Sequence, residues 1–263
     1  MFPSFTAFGK TVAMYGVCAV VGVFVCFIYL YFITKKKGTE FEDLILLFVS
    51  VAIGLFLVGH ILYFITNIPA LIKALPTLTE LDFKGLLKVI LHLFSGSVFY
   101  GGFIGGAVGV IVYSKIFESN IKYNLDIYAV AVPLFHFFGR IGCFFGGCCY
   151  GIECKFGFTV TNNIYNPDIN GVSRLPIQLI EAVFNLIIFA VIAYLFKKEK
   201  YNGKLIYIYM ILYSAVRFTD EFFRGDAIRG IFFGLSTSQW ISIVLFVISA
   251  FTLIKSYKTK EVV

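Results

Sequence analysis

The chain of 263 residues is 59% hydrophobic and 14% charged, with a formal net charge of +7. Soluble domains carry about 25% charged residues, so this composition excludes a water-soluble globular fold and points to an integral membrane protein. The surplus lysines sit at the ends of apolar stretches, as anchors against anionic membrane lipid, and this placement argues against a nucleic-acid partner.

Seven apolar stretches approach or exceed the roughly 17–25 residues that cross a bilayer. They run over Val12–Ile33, Leu44–Ile65, Val98–Ile116, Ile127–Phe145, Leu179–Phe196, Ile206–Phe223 and Gln239–Ile254. The expected fold is all-α, seven transmembrane helices in one membrane-embedded domain over residues 1–263. The first stretch is long and has no small-residue cleavage site, so it is read as a retained span. Alternate connections carry twelve lysines, among them Lys35–Lys37, Lys197, Lys198, Lys200 and Lys204, against eight Lys and Arg on the other side. That bias places the N-terminus outside and the C-terminus in the cytoplasm. The long connections 66–97 and 146–178 then lie on the outer face. Within the first of these, Leu81–Phe94 sets Lys84 and Lys88 one helical turn apart among apolar residues, the pattern of an interfacial helix or of a loop packed on the bundle.

The third span opens with closely spaced glycines around Tyr100. Gly101, Gly105 and Gly109 share a face at four-residue spacing, which is the small-xxx-small signature of close helix packing. The same glycines, with Gly102, also leave room for backbone to meet a ligand.

The fourth span ends in His136-Phe-Phe-Gly-Arg-Ile-Gly-Cys-Phe-Phe-Gly-Gly-Cys-Cys-Tyr-Gly151. Arg140 cannot shed its charge, and at mid-bilayer a guanidinium costs roughly 2.5 kcal/mol or more, so it marks a function and requires an anionic partner. His136 lies four residues before it on the same helical face, as a base, an orienting group or a packing residue. The sixth span carries a second intramembrane arginine, Arg217. Glu221 stands four residues on, at the spacing of an i,i+4 pair, with Asp220 and Arg224 alongside. Two arginines on separate spans suggest a cationic cavity suited to a phosphate. Cys143, Cys148, Cys149 and Cys154 fall close together, as packing thiols, a disulfide on the outer face, or a metal site. Their spacing is not the paired C-x₂-C of common zinc sites, so neither metal nor other cofactor is expected.

Five ordered blocks resemble the prolipoprotein diacylglyceryl transferase family. They are Ser97-Val-Phe-Tyr-Gly-Gly, Gly139-Arg-Ile-Gly with Tyr150-Gly151, Leu175-Pro-Ile-Gln-Leu-Ile-Glu181, Arg217-Phe-Thr-Asp-Glu-Phe-Phe-Arg224 and Gly234-Leu-Ser-Thr-Ser-Gln-Trp-Ile-Ser242. The resemblance implies an enzyme of the bacterial inner membrane with its active site toward the outer face. Such an enzyme moves the diacylglyceryl group of phosphatidylglycerol onto the lipobox cysteine of a preprolipoprotein, releasing glycerol phosphate. It places the family's essential arginines at Arg140 and Arg217, its tyrosine at Tyr15, its glycine at Gly151 and its acid at Glu221. Gln178 and Glu181 match a Pro-x-Gln-Leu-x-Glu segment.

Four positions depart from the common pattern. Tyr100 stands where many members have histidine, Cys143 replaces asparagine, Cys148 replaces glutamate and His60 replaces arginine. The expected catalytic set is Arg140, Arg217, Glu221, Tyr100 and His136. Substrate contacts are expected from Tyr15, Arg140, Gly101, Gly102, Gly142, Cys143, Gly151, Gln178, Glu181 and Arg224. A paralogue with another acceptor, a transporter and a non-catalytic lipid-binding protein are the competing readings.

Overall fold

The computed structural model describes residues 2–78, 82, 85, 89, 98–164, 166–226 and 230–258. Among these residues the chain is mainly helical: α1 Met14–Lys35, α2 Phe41–Leu78, α3 Phe99–Ile116, α4 Ile121–Gly146, α5 Ile177–Lys197, α6 Leu205–Asp220 and α7 Thr237–Lys258. Six of them contain a segment long and apolar enough to span a membrane: Met14–Lys35, Phe41–Pro69, Phe99–Ile116, Ile121–Gly146, Ile177–Lys197 and Thr237–Ser256. The exception is α6, at 16 residues. Large apolar side chains such as Val20, Phe24, Ile28 and Phe32 on α1 face outward, an exposure that water tolerates poorly and lipid favours. The chain divides into two compact units, Met1–Ile33 with Ala129–Val263, and Thr34–Tyr128.

The second unit is built on α2 and α3. Glycines on α3 let the two backbones approach: a Cβ at Gly105 would stand 2.1 Å from the Gly54 carbonyl oxygen, and one at Gly109 would stand 2.3 Å from that of Ser50. Gly101 abuts Val58 and Gly59, so the expected four-residue glycine face is a helix–helix contact. Gly102 meets Leu55, and Gly106 meets the Tyr128 ring, whose hydroxyl donates to the Phe103 carbonyl at 2.7 Å. Tyr100 opens α3 in this unit. The second helix runs past the expected Ile65 end, because Thr66 and Asn67 donate back to the Tyr63 carbonyl, each at 2.8 Å, and stay within the helix. The interfacial helix expected over 81–94 lies outside the described residues, apart from Asp82, Gly85 and Val89.

The first unit holds α1, α5, α6, α7 and the latter part of α4. Gly22 of α1 lies against Phe135 and Phe138, and Tyr29 of α1 meets Phe189 of α5 edge-on at 4.9 Å. Three two-stranded antiparallel ribbons, which the apolar pattern does not announce, sit at helix ends. Strands β1 Ser4–Ala7 and β2 Lys10–Ala13 join through Phe8 and Gly9, both at positive φ (51° and 73°). Strands β5 Ile231–Phe232 and β6 Leu235–Ser236 join through Phe233 and Gly234 in the same way (48° and 76°). Both are two-residue turns of the primed kind that suits strand twist. Between α4 and α5, β3 Glu153–Thr159 pairs with β4 Ser173–Arg174 through an irregular register.

Candidate active site

Arg140 projects from the last turns of α4 into the first unit and is only 8% exposed. Its Nη2 lies 2.7 Å from Glu181 Oε1 on α5, and its Nε donates to His136 Nε2 at 3.2 Å. His136 therefore presents an acceptor nitrogen to Arg140, which assigns the imidazole proton to Nδ1. Glu181 is buried and also stands 3.8 Å from His136 Nε2. A buried carboxylate is costly unless paired, and here its pairing holds the guanidinium in place. The link is non-local, so spacing in the sequence gave no sign of it; Glu181 was expected among the substrate contacts.

Arg217, on the last turn of α6, is the second buried cation, at 3% exposure. The expected i,i+4 pair with Glu221 forms, with Arg217 Nη2 2.5 Å from Glu221 Oε2. The same Nη2 donates to Ser238 Oγ of α7 at 3.0 Å. Nη1 of Arg217 is buried and has no acceptor among the described residues. Arg140 and Arg217 both act electrostatically on His136, so the two guanidinium groups share one neighbourhood. Asp220 lies in the same field, under the charges of Glu181, Arg217, Arg140 and Arg224. Arg224 does not extend the Arg217–Glu221 ladder; its Nε and Nη2 both bond the Asp226 carboxylate, at 2.8 and 2.5 Å. Burial weakens the Arg224 charge, but the Asp226 bonds more than offset this and hold its pKa above the ordinary arginine value.

Gly151 explains how α4, α5 and α6 are brought together. Its N–H donates to the Leu175 carbonyl at 3.2 Å, just ahead of α5. The neighbouring Ile152 N–H donates to Phe223 at 3.0 Å, Gly225 N–H donates to Tyr150 at 2.9 Å, and Gly151 bridges to Arg224. A Cβ at Gly151 would stand 2.4 Å from the Leu175 oxygen, so the residue must be glycine for the three backbones to meet. Gly142 has a similar reason: a Cβ there would lie 3.0 Å from the Tyr15 ring, whose residue opens α1 and is half exposed. The Arg174 guanidinium covers the Tyr150 ring at 4.8 Å and bonds Glu153 at 3.1 Å, closing the outer edge of this corner.

The cysteine loop is pinned just beyond α4. Cys148 N–H donates to the Cys143 carbonyl at 3.2 Å, and Gly147 adopts a left-handed φ of 75°, a Schellman-type stop. Gln178 Nε2 donates to the Cys148 carbonyl and Asn163 Nδ2 to that of Gly147, both at 2.8 Å. Cys149 is left-handed too, at φ 58°. All six cysteines are free thiols. Hydrogen bonds from Cys143 and Cys148 draw the Cys149 thiol far below its ordinary value, helped by the charges of Arg224 and Arg140 and opposed by burial. Of the expected site residues, Tyr15, His136, Arg140, Gly142, Cys143, Gly151, Gln178, Glu181, Arg217, Glu221 and Arg224 belong to the first unit. Tyr100, Gly101 and Gly102 belong to the second, where packing accounts for both glycines.

This arrangement can grip an anion with fixed cations in a dry setting. Comparison with known proteins points the same way. The family described as Prolipoprotein diacylglyceryl transferase matches residues 3–255. The chain is similar to the phosphatidylglycerol–prolipoprotein diacylglyceryl transferase of Clostridium tetani, at 32% identity over 94% of each chain. It is likewise similar to the second such transferase of Clostridium perfringens, at 32% identity over 91% of this chain and 89% of the relative. The Campylobacter hominis transferase is 31% identical over 98% of this chain and 91% of its own length. The chain therefore belongs to the prolipoprotein diacylglyceryl transferase family.

Proposed function

We propose that this protein transfers the diacylglyceryl group of phosphatidylglycerol to prolipoproteins, as the names of its relatives state for them, and that the acceptor is a cysteine thiol and the leaving group glycerol phosphate. The observation that carries the reading is a pair of buried guanidinium groups whose charges both reach His136, with Arg217 Nη1 holding no acceptor among the described residues. A phospholipid phosphate is the anion that a membrane-embedded, doubly cationic site is suited to accept.

In this scheme the C–O bond between the glyceryl carbon and the phosphate breaks as the C–S bond forms. The phosphate gains one negative charge, which Arg140 and Arg217 offset where it develops. Glu181, bound to Arg140, orients that cation and does not itself touch the phosphate, since two anions would repel. Glu221 does the same for Arg217. Tyr15 contacts the lipid donor in this reading, which its half-exposed ring beside Gly142 supports. His136 Nε2 is occupied by Arg140, so the imidazole serves to orient that guanidinium. Tyr100 belongs to the other unit and is given no step in this scheme, and Gly101 and Gly102 serve packing against α2.

We take both compact units as one transferase domain, because the family match runs across them. Seven spans are counted by including α6. At about 1.5 Å per residue its 16 residues cover about 24 Å, and the 3₁₀ turn Glu221–Phe223 carries the path further across the ~30 Å hydrocarbon core. The lysine bias supports a C-terminus in the cytoplasm, placing the active site at the outer face of the bacterial cytoplasmic membrane, where lipobox segments emerge.

The test incubates the purified full chain with phosphatidylglycerol labelled in its acyl chains and a lipobox peptide. A thioether-linked diacylglyceryl peptide and released glycerol phosphate are expected. Absence of that product, with an enzyme that still binds the lipid, would overturn the assignment.

A further inference from the structure

The structure alters the weight given to the cysteines, whose spacing alone spoke against a metal. Among the described residues, the sulfurs of Cys143, Cys148 and Cys149 all lie within 4.8 Å of one another. Three thiolates bound to one zinc ion at about 2.3 Å stand roughly 3.8 Å apart, so a closure of at most about 1 Å suffices. The loop is held in advance: Gln178 and Asn163 clamp the carbonyls of Cys148 and Gly147, and both side chains are almost fully buried. Such outer contacts are what orient metal ligands. Cys148 is exposed, which leaves one side of the cluster open. Arg140 and Arg224 both act on Cys149, and they would balance the negative charge that three thiolates retain around a divalent ion.

We propose that Cys143, Cys148 and Cys149 form a binding site for a soft, thiophilic divalent cation, with an open fourth position that takes the acceptor cysteine as a thiolate. The proposal rests on the transferase reading and supplies what that reading lacks. No histidine stands where a base is expected, and His136 Nε2 is engaged by Arg140. Three protein ligands with one open position are the pattern of catalytic zinc, and thiolate is the preferred partner of such an ion. On binding, the acceptor S–H loses its proton to solvent. The resulting thiolate attacks the glyceryl carbon, the C–S bond forms, and the C–O electron pair leaves with glycerol phosphate. The balance is one thiol and one phosphodiester in; one thioether, one phosphomonoester and one proton out.

The experiment uses the full chain in detergent, kept reduced, stripped with chelator and titrated with Co²⁺ or Zn²⁺. One equivalent of Co²⁺ bound with thiolate-to-metal charge-transfer absorption is expected. Cys143→Ser, Cys148→Ser and Cys149→Ser should each diminish that absorption, whereas Cys154→Ser, outside the cluster, should retain it in full. A lipobox peptide should add to the absorption, and the same peptide with serine for cysteine should not. Stripping should abolish transfer and Zn²⁺ restore it. No stoichiometric binding by the reduced protein, or undiminished binding in Cys143→Ser/Cys149→Ser, overturns the site. A band unchanged by peptide overturns the open position. Full transfer by the stripped enzyme sinks this inference and spares the transferase, while peptide-responsive binding without a transfer product does the reverse.

Discussion

Glycine is concentrated in two regions of this protein for different physical reasons. In the α2–α3 pair, Gly54, Gly105 and Gly109 remove side chains so that two apolar helices can touch, and no charge is involved. Around the end of α4, Gly142 and Gly151 clear space beside a buried arginine, for Tyr15 and for the meeting of three backbones. The first cluster supports stability and the second supports geometry. Glycine density by itself therefore identifies no site; what distinguishes the two is the guanidinium in the second.

This contrast can be tested, beginning with the largest effect. Arg217→Ala and Arg140→Ala should each reduce transfer by about 10²- to 10³-fold or more while leaving the protein in the membrane. Arg217→Lys should rescue little, because an ammonium lacks the planar fork. Near-normal initial rates in either alanine variant would remove charge from the comparison. Gly151→Ala comes next: transfer should be lost although the helical circular dichroism persists, because a Cβ 2.4 Å from the Leu175 oxygen forces the loop apart. Glu181→Ala leaves Arg140 without its buried counter-charge and should cost about 3–5 kcal/mol in thermal or denaturant unfolding, with transfer lost as well. Gly105→Ala belongs to the other cluster, so its main effect should be a lower melting temperature, with the surviving folded protein still active. Smallest of all are Gly139→Ala and Gly146→Ala. At neither position would the added methyl meet an atom within 4 Å beyond its chain neighbours and its own helix backbone, so stability should stay within about 0.5 kcal/mol of wild type. A selective loss of transfer in Gly139→Ala would place substrate against that backbone.

The membrane spans were legible because twenty apolar residues in succession have few other uses, and the glycine face of α3 followed from its four-residue period. The Arg217–Glu221 pair was legible because it is local. Partners brought together by the fold were not. Glu181 reaches Arg140 from another helix, and nothing in the local pattern around either residue reveals it. The convergence of Cys143, Cys148 and Cys149 depends on a Schellman stop and a left-handed Cys149, which the spacing rules for metal sites do not anticipate. The two short hairpins turn on Phe-Gly in place of the usual Asn-Gly or Asp-Gly, and their strands are too short to show alternation. Arg224 chose Asp226 over Glu221 because the chain leaves the helix after Phe223 and carries the guanidinium off that face.

The backbone knot at Gly151 has a consequence for how the enzyme fails. Apolar helices in lipid resist heat and denaturant, but the backbone hydrogen bonds joining Tyr150, Gly151 and Ile152 to Leu175, Phe223 and Gly225 lie where the chain leaves those helices. Loosening that small patch would disengage the ends of α4, α5 and α6 in a single event, well before any of them unwinds. Inactivation on warming should therefore run ahead of the melting seen by circular dichroism.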